Sequence, residues 1–207
     1  MTSASKPLKI QVILGSTRDG RYGDKPARWI ADEFAKQPGV AVELLDLRDW
    51  PLPFFNEAIP PAAGKRANVA ANAWGAKLAE ADAYVIVTPE YNRGYPAVLK
   101  NALDWVYTEV NQKPVTFLSY GGAGGARAVE QLRQVANELK MAPIRTGIHL
   151  PLESYLATMK LTAPVDPALY NDNQRLKGQA DAAITELLWW ANALRTARNQ
   201  VALGKAA

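Results

Sequence analysis

Short apolar runs and longer stretches with helical spacing take turns along this chain. Residues 8–14 (LKIQVIL), 40–47 (VAVELLDL), 83–88 (AYVIVT), 114–119 (PVTFLS) and 143–150 are short and rich in apolar residues, the pattern of strands covered on both faces. Between them, residues 24–37, 65–80, 96–109 and 126–140 place apolar side chains at helical intervals, and a final helix is expected from 171 to 203. Asp24 reads as the cap of the first helix, with Pro26 tolerated near its start, and Pro96 opens the third. Two stretches read as irregular: Arg48–Gly64, with four prolines at 51, 53, 60 and 61, and Pro151–Pro167. No internal repeat is visible.

Strand–helix units in series call for a parallel sheet, because parallel neighbours need crossover connections, and right-handed crossovers place helices on both faces. The expected architecture is α/β: a three-layer αβα sandwich around a five-stranded parallel sheet in the order 2-1-3-4-5 counted along the chain. At roughly 150 residues per domain, 207 residues make one domain the default, spanning 1–207 with an extra C-terminal helical segment at 168–203. In this strand order the chain reverses direction between the first and third strands, and ligands bind at such a reversal. The loops at 15–23 and 89–96 flank that point.

Composition narrows the chemistry. The chain has no cysteine, which removes disulfides, thiolate metal sites and cysteine nucleophiles, and one histidine, His149, which excludes a multi-imidazole zinc site. A serine hydrolase would have to use His149 as its base, and no triad motif surrounds it; a structural hydrogen bond is the expected role. Net charge is +4, with 24 Lys and Arg against 20 Asp and Glu scattered along the chain. That balance favours small anionic molecules or plain solubility over nucleic acid. The segment MTSASKPLKI lacks a signal-peptide core, and no apolar run approaches the roughly 18 residues of a membrane span. A cytoplasmic protein is expected, with neither nucleic acid nor membrane as partner.

The loop GSTRDGRYG after the first strand suits a phosphate: its glycines let backbone wrap an anion, the following helix start adds unpaired N–H groups, and Ser16, Thr17 and Arg18 add donors. It is neither a Walker A loop, since Arg21 and Tyr22 stand where Lys and Ser/Thr are required, nor a G-x-G-x-x-G fingerprint. A plain glycine turn is the alternative. After the third strand, PEYNRGYP turns the chain outward at Pro89 and brings Tyr91, Asn92 and Tyr95 to the crevice, where aromatic faces and amides suit a flat heterocycle; an ordinary turn capping the next helix is the alternative there. Glu90 reads as a tie for this loop. The glycines at 121–125 lie at the same end of the sheet.

GSTR after the first strand, PEYNRGYPAVLKNALDW after the third and YGG after the fourth together resemble the NADPH-dependent FMN reductase family of flavodoxin-like proteins, over approximately Leu8–Leu150. The resemblance implies non-covalently bound FMN. It implies that Ser16, Arg18 and the backbone around Arg21, Tyr22, Gly23 and Asp24 hold the phosphate. Pro89, Glu90, Tyr91 and Asn92 would border the isoalloxazine, and Gly121, Gly122 and Ala123 would complete the ring pocket. Many relatives carry a second serine about where Tyr22 or Gly23 stands, which puts one phosphate contact in doubt. The implied activity is hydride transfer from NADPH or NADH to FMN and then to a second, small-molecule acceptor: a quinone, an azo compound, free flavin or a metal oxyanion. No catalytic acid or base is required, because the flavin carries the chemistry. Arg93 and Arg127 are candidates for a nucleotide phosphate. The family usually forms homodimers or homotetramers, which would bring Ala97, Leu103 and Val106 near a partner chain; Trp105, Trp189 and Trp190 read as core or interface. The alternative activity is that of a flavodoxin-type electron carrier with a protein redox partner, against which the slightly basic charge argues.

Overall fold

In the computed structural model, which describes residues 6–63, 66–160 and 166–205, β1 (Leu8–Leu14) runs through the middle of a parallel sheet. It pairs with β2 (Val40–Asp46) on one side and β3 (Ala83–Pro89) on the other, with Leu14 opposite both Asp46 and Val87. β4 (Pro114–Tyr120) follows β3, and the fifth position is shared by two short strands, β5 (Ala142–Pro143) and β6 (Ile148–His149), both parallel to β4. The order is β2-β1-β3-β4-β5, as the alternation of elements predicts.

Successive side chains of a strand point to opposite faces, and here both faces are covered. Ile10, Val12, Leu14, Val85, Val87, Leu118 and Tyr120 meet α1 (Asp24–Ala35) and α7 (Gln174–Lys205). Ile13, Tyr84, Ile86, Val115 and Phe117 meet α2 (Val69–Ala79), α3 (Ala97–Asp104) and α4 (Ala126–Glu138). The remaining helices are α5 (Leu152–Met159) and α6 (Ala168–Asn171), next to the start of α7. Among the described residues, no helix is long and apolar enough to cross a membrane.

Several local expectations need correction. The strand expected at 143–150 is split, because after the Ile144 amide donates to the Val115 carbonyl (3.0 Å) the segment Arg145–Gly147 leaves the ladder and is held by side chains. Thr116 Oγ1 donates to the Thr146 carbonyl (2.7 Å), and the Glu186 carboxylate accepts from the Arg145 and Thr146 amides. The irregular stretch expected at 151–167 contains α5: Leu152, Tyr155, Leu156 and Met159 have helical spacing, and Pro151 sits at its N-cap, where its missing donor costs nothing. Residues 161–165 of that stretch, and the expected start of the second helix at 65, lie outside the described residues. Asp24 is the first residue of α1 rather than its cap, which is Gly23 without a side-chain bond. Pro89 ends β3 opposite Tyr120 rather than following it, and the ladder closes when the Glu90 amide donates to the Tyr120 carbonyl. The third helix stops at Asp104, short of 109.

Leu103 and Val106, expected near a partner chain, are buried in this chain's own core; Ala97 is exposed. Trp105 is fully buried and donates to the Pro53 carbonyl (2.8 Å), whereas Trp189 is exposed and packs edge-on against Trp190. Lys100 and Asp104 form an exposed pair one turn apart on α3 (2.6 Å).

The turn from β4 into α4 depends on Gly125, at φ 75°, where a Cβ would stand 2.6 Å from the Ser119 Cβ and 2.8 Å from the Tyr120 amide nitrogen. Gly125→Ala should therefore destabilise the protein by about 1–2 kcal/mol from backbone strain alone, with the contact adding to it. Urea unfolding of the two proteins measures the difference, and equal midpoints would contradict this account of the turn.

Candidate functional site

The carboxyl ends of all strands in a parallel sheet share one edge, so the loops after β1, β3 and β4 come out side by side. The first two touch: Ser16 Oγ and the Tyr91 hydroxyl are 2.9 Å apart, with Ser16 fully buried. The second and third are also joined, by the Glu90–Tyr120 backbone bond (3.0 Å) and through the Glu90 carboxylate, which accepts from the Arg127 amide (3.2 Å) and side chain (2.5 Å) at the start of α4. Glu90 is thus the tie for its loop, and Arg127 is committed to it rather than free for a nucleotide.

The loop after β1 is shaped by two arginines. Arg21, almost wholly buried, donates through Nη1 to the Ser16 carbonyl and to Asp46 (2.6 Å each) and through Nε and Nη2 to Asp24 (3.0 and 2.7 Å). It also pairs with Asp46 through Nη2. Burial works against its charge, but the hydrogen bonds it donates to Asp46 and Asp24 outweigh that, and its pKa is raised. Arg48, in the 3-10 turn Leu47–Asp49 after β2, donates to the Thr17 (3.3 Å) and Arg18 (2.6 Å) carbonyls. A trans peptide places N–H opposite C=O. Because the carbonyls of Ser16, Thr17 and Arg18 face guanidinium groups, the amides of Thr17, Arg18 and Asp19 face the other way, and among the described residues they have no acceptor. The Tyr22, Gly23 and Asp24 amides at the start of α1 likewise have none. Six donors and a helix N-terminus make a place for an anion.

A cavity of about 260 Å³ joins this loop to the other two. Of the residues read from the sequence, Arg18, Arg21, Tyr22, Pro89, Glu90, Tyr91, Gly121 and Gly122 line it, together with Gly20. Ser16 stands behind it, bound to Tyr91. Gly23, Asp24, Asn92 and Ala123 do not line it. Asn92, at φ 49°, and Arg93, at φ 69°, form the exposed tip of the β3–α3 turn, a left-handed conformation that asparagine tolerates well. Tyr22 is turned inward, its hydroxyl 2.6 Å from Thr158 Oγ1 and 3.0 Å from the Tyr170 hydroxyl.

Two lining residues, Tyr155 and Met159, escaped the sequence reading, and Tyr120, the first residue of the YGG turn, lines the cavity as well. Tyr120 directly precedes the glycines of the third loop, and its hydroxyl is buried without a partner. Burial raises its pKa, so it stays protonated and carries a donor. Tyr155 and Met159 belong to the apolar stripe of α5, a signal hidden by the surrounding prolines. His149 has the structural role expected of it. Ser119 Oγ donates to the Gly124 carbonyl (2.7 Å) and lies 2.9 Å from His149 Nδ1, so the imidazole supports the third loop from behind. Burial lowers the His149 pKa and keeps the ring neutral at pH 7.

These features fit a flavin mononucleotide: unsatisfied amides and Arg18 for a phosphate at one end, a buried donor without a partner at Tyr120, and two cross-linked loops at the other end beside Gly122, where an added methyl would meet nothing within 4 Å.

The Arg21–Asp46 pair predicts an acid response. Burial favours the neutral Asp46 acid, but the Arg21 bond and the Arg48 amide prevail and hold its pKa below the ordinary 3.8. The unfolded chain therefore takes up the proton first, so this stabilisation is complete above about pH 4 and is lost as the pH falls further. Asp46→Asn should cost about 1–3 kcal/mol at pH 7, with the gap to the parent narrowing below pH 4 in urea unfolding; a pH-independent gap would contradict the assignment.

Comparison with known proteins agrees with this geometry. The sequence model for NADPH-dependent FMN reductase matches residues 8–151, which include all three loops. The chain is 42% identical over 177 residues to an NAD(P)H-dependent FMN reductase of Schizosaccharomyces pombe, covering 82% of this chain and 86% of that one. It is 34% identical over 141 residues to a quinone reductase of Escherichia coli, covering 63% and 70%. In structure it resembles the flavoenzyme NAD(P)H:(acceptor) oxidoreductase FerB of Paracoccus denitrificans, with a TM-score of 0.62 over 87% of this chain and 97% of that one at 24% identity, which speaks for the fold. With the match spanning both the sheet and the crevice loops, the chain belongs to the NADPH-dependent FMN reductase family.

Proposed function

We propose that this protein is an NAD(P)H-dependent oxidoreductase that binds FMN in the crevice between the three loops and passes electrons to a small-molecule acceptor of the quinone class. The observation that carries the reading is the Ser16–Tyr91 contact, which makes an anion-binding loop and a planar-ring loop parts of one cavity. Bound FMN supplies the redox chemistry, accepting hydride from the nicotinamide and delivering electrons to the acceptor.

The chain's own residues bind and orient. The amides of Thr17–Asp19 and Tyr22–Asp24, with the Arg18 guanidinium and the start of α1, hold the phosphate. Arg21 and Arg48 keep those amides turned outward. Pro89, Glu90 and Tyr91 border the ring on one side and Gly121 and Gly122 on the other, with Glu90 and Arg127 fixing the two loops together; Asn92 and Ala123, outside the cavity lining, are left out of the ring pocket. The Tyr120 hydroxyl offers a hydrogen bond from below. No side chain needs to move a proton. A quinone as second acceptor is supported by the identity to the E. coli quinone reductase and by the tyrosines that line the cavity, which suit a flat, largely apolar ring. Assembly as a homodimer or homotetramer belongs to the same proposal, supported by Phe54, exposed on a loop whose neighbours Pro53 and Phe55 are pinned by Asn101.

Anaerobic mixing of the FMN-loaded protein with NADPH or NADH should bleach the flavin absorbance near its visible maximum, and adding a quinone should restore it. A flavin that stays oxidised would overturn the reductase reading and favour an electron carrier. Arg18→Ala should weaken FMN binding by about 1.5–3 kcal/mol, the size of a hydrogen bond to a charged group; unchanged affinity in a fluorescence titration would remove Arg18 from the site.

A further inference from the structure

One wall of the cavity comes from none of the three loops. Tyr155 and Met159 of α5 line it together with Arg18, Tyr91 and Gly121. The Tyr155 ring packs edge-on against Tyr22 (4.8 Å between centroids, 89°) and lies 5.9 Å from the Tyr120 ring. The other side of α5 is anchored. Thr158 Oγ1 donates to the Ser154 carbonyl (2.7 Å) and so accepts from the Tyr22 hydroxyl, whose oxygen in turn accepts from the Tyr170 hydroxyl. Ser154 Oγ accepts from Asn173 Nδ2 (3.0 Å). Lys25, in the first turn of α1, sends its buried ammonium to the last carbonyls of α5, those of Thr158 (2.8 Å) and Met159 (2.9 Å).

A cation at a helix C-terminus meets the negative end of the helix dipole and carbonyls that lack the usual partner four residues on; here the Thr158 carbonyl also accepts from the Lys160 amide at the C-cap. The first turn of α1, which offers its amides to the anion, therefore also holds the C-terminal end of α5, whose Met159 lines the cavity.

We propose that α5 is a built wall of the mononucleotide site, with Tyr155 and Met159 touching the bound FMN and Lys25 acting as a positioning residue that holds the helix in place. This rests on the FMN reading above and adds to it a cofactor contact from outside the three loops. Lys25 acts through α5 and not on the phosphate, because its ammonium is already committed to the two carbonyls.

The test compares the full-length parent with Tyr155→Ala, Tyr155→Phe and Lys25→Met, using FMN fluorescence titration, thermal melting to establish folding, and chymotrypsin cleavage after Tyr155 followed by mass spectrometry. In the parent, FMN should slow cleavage after Tyr155. Tyr155→Ala should weaken FMN about tenfold while Tyr155→Phe stays near the parent, since the ring supplies the contact. Lys25→Met should weaken FMN and speed cleavage after Tyr155 together. A folded Tyr155→Ala protein with parental affinity, or a parent whose cleavage ignores FMN, would overturn the wall. Weaker FMN binding in Lys25→Met without faster cleavage would place Lys25 on the phosphate and overturn its positioning role. A parent that binds no FMN at all would instead overturn the functional reading on which the proposal rests.

Discussion

The Arg21 guanidinium holds together the parts of the chain that make the crevice. It is almost wholly buried, a position that costs several kcal/mol for an unpaired charge and is sustained only by good partners. The partners come from three places: the Ser16 carbonyl at the end of β1, Asp24 at the start of α1 and Asp46 at the end of β2. Satisfying this one charge fixes the path of the β1–α1 loop, and with Arg48 it decides which way the loop's peptide planes face. The unpaired amides that suit an anion follow from where the carbonyls have been drawn.

The rest of the site follows from the parallel sheet. Because strands that run the same way end on the same edge, loops distant in sequence become neighbours, and side chains then tie them. Ser16 meets Tyr91, and Glu90 meets Arg127. Neither pair is chemistry in itself. Each removes freedom from a loop that would otherwise have to be ordered when a ligand binds, which is how a preorganised site gains affinity. His149 belongs to this group, bracing the third loop through Ser119 without touching the cavity.

On the α1 face, four tyrosines, Tyr22, Tyr120, Tyr155 and Tyr170, gather below and beside the crevice. They combine packing area with hydroxyls that need partners. Those of Tyr22 and Tyr170 find them in each other and in Thr158, which ties α5 and α6 to the start of α1. The Tyr120 hydroxyl alone among the three buried ones lacks a partner, and it belongs to a residue that lines the cavity. A buried donor left unsatisfied costs about 1–3 kcal/mol, a penalty that a ligand acceptor at this point would relieve.

Much of this was legible in the residues themselves. Strands such as AYVIVT and helices with regular apolar spacing state their type through periodicity, because burial on one or two faces imposes a repeat that sequence must obey. The order of elements then left few ways to arrange a sheet, and motifs such as GSTR and PEYN stood at its strand ends. What the chain alone did not reveal depends on partners remote in sequence. Arg21 reads as one more cation in a glycine loop until Asp46 is beside it, and the stretch after Pro151 reads as irregular because its prolines are local signals whereas the anchors of α5, Lys25 and Tyr22, lie more than a hundred residues away. Periodicity is written locally, so the sequence by itself determined the elements, their order and the loops that carry the site. Long-range hydrogen bonds and ion pairs are written nowhere in a local window, so only the tertiary structure decided which groups those loops spend on one another and which remain for a ligand.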